Sequence, residues 1–236
     1  MADKRISSGA KAVDVLLNGG IETDVITTVY GASGSGKSNL AMIIAISAAK
    51  KGKVIFIDTE SGFSLERAKQ IDPEFDITSK NIKIIKPYEF DEQQKAIREL
   101  REIIKTEKID LIVIDSLTML YRLERPEDPK EINLELTKQL SILSSIARRN
   151  HLPVFATNQV YSSFDKRDNI RMVGGDILAY WSKCLIRLEK VDGIRKAEIM
   201  KHRSIAEGKS VWFEIVNEGI QEVKEPSEKE KRFNLF

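Results

Sequence analysis

The chain has 236 residues, of which 42% are hydrophobic and 31% charged, and its formal net charge is +2. That is enough for one α/β unit with a sizeable core, and the near-neutral balance excludes an argument for nucleic-acid binding from bulk charge, so any basic surface has to be local. The single cysteine, Cys184, excludes an intramolecular disulfide and a cysteine-based zinc site; no apolar run approaches the roughly 18 residues of a membrane span, and no signal-peptide core follows Met1, so a reducing cytoplasm is the expected setting.

Residues 6–17 (I-S-S-G-A-K-A-V-D-V-L-L) open with a serine cap candidate and carry apolar residues at helical spacing, which predicts a short helix ended by Asn18-Gly19-Gly20. Residues 25–30 (V-I-T-T-V-Y) are β-branched and aromatic, a first strand. It runs straight into Gly31, Ala32, Ser33, Gly34, Ser35, Gly36, Lys37 and Ser38, which fit G-x-x-x-x-G-K-[ST]. Residues 39–50 then read as a buried helix, rich in Ala, Ile, Leu and Met without Gly or Pro.

A second strand over 53–57 ends at Asp58-Thr59-Glu60. A helix over 64–70, a third strand over 82–85 and an amphipathic helix over 91–106 follow. Residues 111–114 (L-I-V-I) form a fully apolar fourth strand ending at Asp115-Ser116, the pattern of a parallel strand covered on both faces. Residues 122–130 read as a charged, proline-bearing loop and 131–150 as a long helix. The fifth strand, 153–157, ends at Asn158-Gln159. Residues 161–176 are a polar stretch. Short strands over 184–188, 196–200 and 211–215 suggest an antiparallel extension of the sheet. Glu222 begins a charge run that reads as a solvated tail.

Alternating strands and helices predict an α/β fold: a mainly parallel twisted sheet flanked by helices, with C-terminal antiparallel strands. The expected organisation is one core over 1–222 and a charged tail over 223–236. Ligands of such sheets sit at the C-terminal ends of the strands, and the polar clusters named above fall at four of those ends. The glycine loop can turn backbone N–H groups toward phosphate oxygens, with the helix N-terminus adding a favourable dipole. Lys37 is expected on the β- and γ-phosphates, the Ser38 hydroxyl on Mg²⁺, and Asp115 on the same ion. Glu60 is placed to orient and deprotonate an attacking water. Gln159 can donate to a γ-phosphate and pass the nucleotide state to the segment beyond it. Lys166, Arg167 and Arg171 interleave with Tyr161 and Phe164, a pattern suited to phosphates and unpaired bases. His151 and His202 are too isolated to suggest a metal site.

Ile6-Ser7-Ser8-Gly9, Leu17-Asn18-Gly19-Gly20-Ile21-Glu22-Thr23, the glycine loop, Asp58-Thr59-Glu60, Tyr121-Arg122 and Thr157-Asn158-Gln159-Val160 together resemble the RecA/RadA recombinases. The resemblance spans about residues 5–220 and implies a RecA-like P-loop NTPase core of the archaeal kind, with ATP and Mg²⁺ as ligands. It implies nucleotide contacts from residues 31–38 and from Asn39, and Arg67 stacking on adenine. It further implies Glu60 as catalytic carboxylate and Gln159 as γ-phosphate sensor beside Lys37. Two DNA-facing segments are implied, one with Arg122 and one with Lys166, Arg167 and Arg171. The helical N-terminal domain and the Phe-x-x-Ala-type segment of the RadA pattern do not precede this core, so the expectation is an accessory protein rather than a filament motor.

That reading implies slow ATP hydrolysis, single-stranded DNA as the preferred DNA, and a nucleoid-associated protein of recombination and repair. The partners implied are a RadA-like recombinase, a Holliday-junction resolvase and further copies of the chain. Lys201-His202-Arg203 stands where the RadA pattern has an acidic cap and looks more like the KaiC branch, in which such cations reach a neighbouring subunit's γ-phosphate. A KaiC-like oligomeric signalling ATPase and a non-hydrolysing ATP-bound adaptor therefore stay open as alternatives.

Overall fold

The structure is a computed structural model that describes residues 4–124, 129–161 and 172–226. In chain order its elements are β1 (Arg5–Ile6), α1 (Lys11–Leu16), β2 (Ile21–Glu22), β3 (Ile26–Gly31), α2 (Lys37–Ala49), β4 (Lys53–Asp58), α3 (Leu65–Ile71), α4 (Phe75–Thr78), β5 (Ile82–Ile85), α5 (Phe90–Thr106) and β6 (Ile109–Asp115). The second half adds α6 (Met119–Leu123), α7 (Pro129–Asn150), β7 (Val154–Asn158), α8 (Gly175–Trp181), β8 (Cys184–Val191), β9 (Ile194–His202), β10 (Ser210–Val216) and β11 (Gly219–Val223).

Nine strands make one sheet in the order β11-β10-β9-β8-β3-β7-β6-β4-β5. From β8 to β5 all neighbours are parallel, and β9, β10 and β11 each run antiparallel to the strand before. The central strands β3 and β7 are buried at every position because both faces are covered. Phe56, Val113 and Phe155 pack toward α1 and α2, whereas their chain neighbours Ile57, Ile112, Ile114 and Ala156 pack toward α5 and α7. This is the period-2 alternation of a strand with an apolar partner on each side. α2 is itself buried from Leu40 through Ile46, as its uniformly apolar sequence requires.

The predicted helix over 6–17 is shorter than its spacing suggests. Arg5 and Ile6 instead pair with Glu22 and Ile21 in a separate two-stranded sheet. Ser7 and Ser8 do not cap the first turn; both hydroxyls donate to the Asp14 carboxylate, at 2.6 Å each, and hold the chain in a turn until Ala10. Gly20 makes the pairing possible: at φ 121° its α-carbon lies so close to β1 that a Cβ would sit 2.0 Å from the Ile6 carbonyl oxygen.

Four further elements escape the sequence pattern. α4 lies in the stretch after the 64–70 helix, α6 occupies the start of the predicted loop, α8 starts at the second glycine of the pair Gly174-Gly175, and β11 takes in Glu222 and Val223 from the start of the predicted tail. Among the described residues no helix is long and apolar enough to cross a membrane.

Candidate functional site

Strand register decides what meets at the C-terminal edge. Tyr30 lies beside Asn158, Asp58 beside Asp115, and Gly31 beside Leu188. The polar groups that follow β3, β4, β6 and β7 therefore fall along one rim. Those after β3, β4 and β7 border a cavity of about 690 Å³ lined by the loop residues Gly31 to Gly34 and Gly36 to Ser38 with Asn39, Glu60, Arg122, Gln159, Val160, Tyr161 and Ile215.

The loop itself is packed hard against the sheet. A Cβ on Gly31 would lie 2.2 Å from the Leu188 carbonyl oxygen of β8 and 2.9 Å from Ser35 Oγ. α2 begins directly after Gly36, so its N-terminal N–H groups face the cavity mouth. Lys37 folds back over the loop and its ammonium donates to the Gly31 and Ala32 carbonyls, each at 2.9 Å. Burial holds this amine below its ordinary pKa, while Glu60 and Asp115 pull it back up. A half-buried cation with only carbonyl partners is well suited to exchange them for an anion.

Asp115 ends β6 in an almost fully buried position. Its Oδ1 accepts from the Thr157 hydroxyl of β7. Its Oδ2 is buried without a well-formed hydrogen bond. That oxygen and the Ser38 hydroxyl face the same small space beneath Gly62, where an added Cβ would lie 3.5 Å from Asp115 Oδ2 and 3.8 Å from Ser38 Oγ. Burial pushes the Asp115 carboxyl up to about 6, against the lowering effect of the Thr157 and Ser38 hydroxyls and with Glu60 and Asp58 adding to the rise. An orphaned buried carboxylate oxygen beside a hydroxyl is the donor set a hard divalent cation requires, so the residues present fit a metal held by Ser38 and Asp115.

Glu60 and Gln159 meet across the cavity: the Gln159 side-chain amide donates to Glu60 Oε1 at 2.8 Å. Neither residue would be fixed without its neighbours. Asp58 accepts from the Gly62 and Phe63 amides, at 2.9 and 3.2 Å, and so shapes the turn that carries Glu60. The Asn158 amide donates to the Val173 carbonyl at 2.9 Å, and the Val173 N–H returns a bond to the Gln159 carbonyl at 3.0 Å. Both ends of the segment after Gln159 are thus tied at the sheet edge. Lys166, Arg167 and Arg171, expected on DNA, lie outside the described residues. Arg122, also expected on DNA, lines the same cavity as Glu60 and Gln159.

Arg67 stands at the cavity's other flank. Its guanidinium donates to Asn39 Oδ1 at 2.7 Å and to the Val216, Asn217 and Gly219 carbonyls at 2.7, 2.9 and 3.1 Å. It latches the turn between β10 and β11 to α2 and α3, and so places Ile215 on the cavity wall. Lys201 and Arg203 are not brought to this rim. His202 pairs with Cys184 at the opposite end of the sheet from the loop. There Lys201 donates to the Ala179 carbonyl and Arg203 to the buried carboxylate of Glu22, at 3.0 Å for the latter. Glu22 also takes Arg5 at 2.7 Å. Sequence reasoning assigned no role to Thr157, Asp58 or Asn158; the apolar strands ending in Asp and in Thr-Asn were the available signal.

Parallel strands that deliver a phosphate loop, a buried aspartate and a glutamate–glutamine pair to one edge define a RecA-like P-loop core. A family model described as Rad51 matches residues 4–223, and the chain belongs to the Rad51 family. It is similar to proteins named "DNA repair and recombination protein RadB". That of Methanosphaera stadtmanae is 45% identical over 89% of this chain and 92% of its own length, and that of Archaeoglobus fulgidus is 39% identical over 92% and 97%. A solved structure described as "Crystal structure of the RadB recombinase" superposes with a TM-score of 0.80 at 34% identity, over 92% of this chain and 99% of its own. The relatives place the chain among archaeal RadB-type paralogues of the recombinase.

Proposed function

We propose that the chain binds ATP with Mg²⁺ in this cavity, hydrolyses it slowly, and uses the nucleotide state to control its grip on DNA. In this reading it serves homologous recombination and repair as an accessory protein that modulates a RadA-like recombinase, in the cytoplasm and in association with the nucleoid. The observation that carries the reading is Asp115 Oδ2, buried without a well-formed hydrogen bond and facing the hydroxyl of Ser38, a residue that lines the cavity holding the Glu60–Gln159 pair.

The geometry supports the following roles. The amides of the loop and of the first turn of α2 bind and orient the phosphates, with the Lys37 ammonium leaving the Gly31 and Ala32 carbonyls for them. Ser38 and Asp115 would hold Mg²⁺, which supplies charge neutralisation when bound. Glu60 accepts a proton from the attacking water, and its Gln159 partner fixes the carboxylate's direction. Asn39, with Arg67 behind it, borders the base side of the cavity. Gln159 also begins the segment containing Lys166, Arg167 and Arg171, so a change in its amide partner is a change at the root of the DNA-binding segment. Single-stranded DNA suits the aromatic and basic residues interleaved there. No observation favours the KaiC-like reading, since Lys201 and Arg203 are engaged within their own chain.

The test is the affinity for labelled single-stranded and duplex DNA at low and physiological salt, with and without Mg·ATP. Binding is expected to weaken with salt, to favour the single strand and to respond to nucleotide. DNA binding that is undetectable or indifferent to salt under every nucleotide condition would sink the recombination reading.

A further inference from the structure

The single turn α6 has two faces, and each borders a different cavity. Leu120 and Leu123 line a hollow of about 450 Å³ beside Phe90 and Ile132. Arg122 lines the nucleotide cavity. Met119 stands three residues earlier and so on the same side of the turn, and its Sδ lies 3.7 Å from the Gln159 amide nitrogen. That nitrogen is the donor to Glu60. The face of α6 that carries Arg122 therefore borders the glutamate–glutamine pair.

The turn is fixed from behind. Leu120 is buried, the Arg122 N–H donates to the Thr118 carbonyl at 3.1 Å, and the Thr118 hydroxyl donates to Asn158 at the end of β7. The Tyr121 hydroxyl donates to Asn133 Oδ1 of α7 at 2.7 Å, and its ring meets that of Phe90 edge-on with centroids 6.1 Å apart. The Arg122 side chain is exposed, and among the described residues no hydrogen bond or ion pair engages its guanidinium. Three charged side chains line the nucleotide cavity: Lys37, Glu60 and Arg122. Lys37 is held by carbonyls of its own loop, whereas Arg122 comes from the side of Glu60 and Gln159. A guanidinium keeps its charge at every accessible pH, and its planar fork matches two phosphate oxygens.

We propose that Arg122 is a second nucleotide cation supplied in cis: it donates to the γ-phosphate oxygens and stabilises the charge that grows there during hydrolysis. The inference rests on the reading of this cavity as an ATP site. In that reaction the water oxygen bonds to the γ-phosphorus and its proton passes to Glu60, which later releases it to solvent. The bond from phosphorus to the β,γ-bridging oxygen breaks, and its electron pair leaves on ADP. A fixed guanidinium beside the transferring group stabilises it without reorganisation at that moment. ADP lacks the γ-phosphate, so the same contact makes the site prefer ATP to ADP. Lys201 and Arg203, engaged within their own chain, are not needed for it.

The experiment titrates full-length wild type, Arg122→Ala and Arg122→Lys with Mg·ADP and with β,γ-imido-ATP plus Mg²⁺, and then measures single-turnover hydrolysis of ATP. Wild type should prefer the triphosphate analogue. The alanine variant should lose roughly tenfold or more of that preference, through weaker analogue binding with ADP affinity kept within about twofold. Its hydrolysis should fall by about a hundredfold or more. The lysine variant keeps the charge without the fork and should lie between the two. Because the side chain is exposed, both variants should fold, and thermal melts check this. An equimolar mixture of Arg122→Ala and Glu60→Gln should stay as slow as its parts, since each subunit needs both groups. Recovery in the mixture would put the arginine on a neighbouring subunit and overturn the proposal. An alanine variant with undiminished preference for the analogue would overturn it as well; if the salt slope of its single-stranded DNA binding then falls by about one, Arg122 serves DNA instead. Wild type that binds neither nucleotide would overturn the ATP reading of the cavity and the proposal with it.

Discussion

Asp115→Asn is expected to stabilise the metal-free protein at neutral pH while removing its response to Mg²⁺. Burial pushes the Asp115 carboxyl from 3.8 to about 6, a gap equivalent to roughly 3 kcal/mol of folding free energy. The group binds its proton more tightly when folded than when unfolded. Its favourable contribution is therefore complete below about pH 4 and is lost as the pH rises through about 6. Asparagine carries no charge to bury. It keeps an oxygen for the Thr157 hydroxyl but turns an N–H toward the Ser38 hydroxyl in place of the carboxylate Oδ2, an exchange that costs about 1 kcal/mol. The net gain is about 2 kcal/mol, or roughly 4–8 °C in Tm for a chain of this size. The assay is thermal unfolding with a chelator present, at pH 8 and near pH 4. The variant should melt higher at pH 8, and the difference should shrink toward acid. Addition of Mg²⁺ with nucleotide should raise the wild-type Tm and leave the variant nearly unmoved. A variant that melts below wild type at pH 8, or by the same margin at both pH values, would refute the reasoning.

Gly31→Ala drives a methyl group to 2.2 Å from a backbone carbonyl of β8. Because the nearest partner is backbone that cannot swing aside, it should cost about 2 kcal/mol or more, on the order of an overpacked core, seen as a lowered urea midpoint. Arg67→Ala removes four bonds that join Asn39 to the turn between β10 and β11. Hydrogen exchange over residues 216–219 should accelerate and nucleotide affinity should fall roughly tenfold as Ile215 loosens from the cavity wall; unchanged exchange would show that the latch is not what holds the turn. Cys184 is buried, and burial pushes its thiol up to about 12. It should resist alkylation in the native protein and react at the rate of unfolding when denaturant is added.

The site was legible where local sequence carries its own punctuation. Apolar runs that stop at Gly31, Asp58, Asp115 and Asn158 announce parallel strands and a common rim, because a strand covered on both faces turns polar only where it leaves the sheet. The register that sets Asp58 beside Asp115 is long-range and could not be read, yet the polarity of the strand ends was enough to anticipate it. What escaped depends on partners distant in sequence. Residues 6–17 carry a helical pattern, but pairing of Ile6 with Ile21 outcompetes one turn of helix. Arg67 was expected at the adenine; the structure also gives its guanidinium to carbonyls about 150 residues away. α6 is too short for a periodic signal, and its position is what brings Arg122 into the nucleotide cavity. The resemblance puts Lys201 and Arg203 on a neighbouring subunit's γ-phosphate; their partners within the chain, Ala179 and Glu22, approach only on folding and could not be read from sequence.

A hydrolytic nucleotide site at this rim with Glu60 as its base is open to one direct test. The most direct measurement is single-turnover hydrolysis of radiolabelled ATP by wild type and Glu60→Gln, with Mg·ATP binding measured on the same samples. The glutamine variant should bind Mg·ATP within a few-fold of wild type while its hydrolysis falls by about a hundredfold or more. Undiminished hydrolysis in the glutamine variant, or a wild-type protein that does not bind Mg·ATP, would contradict it.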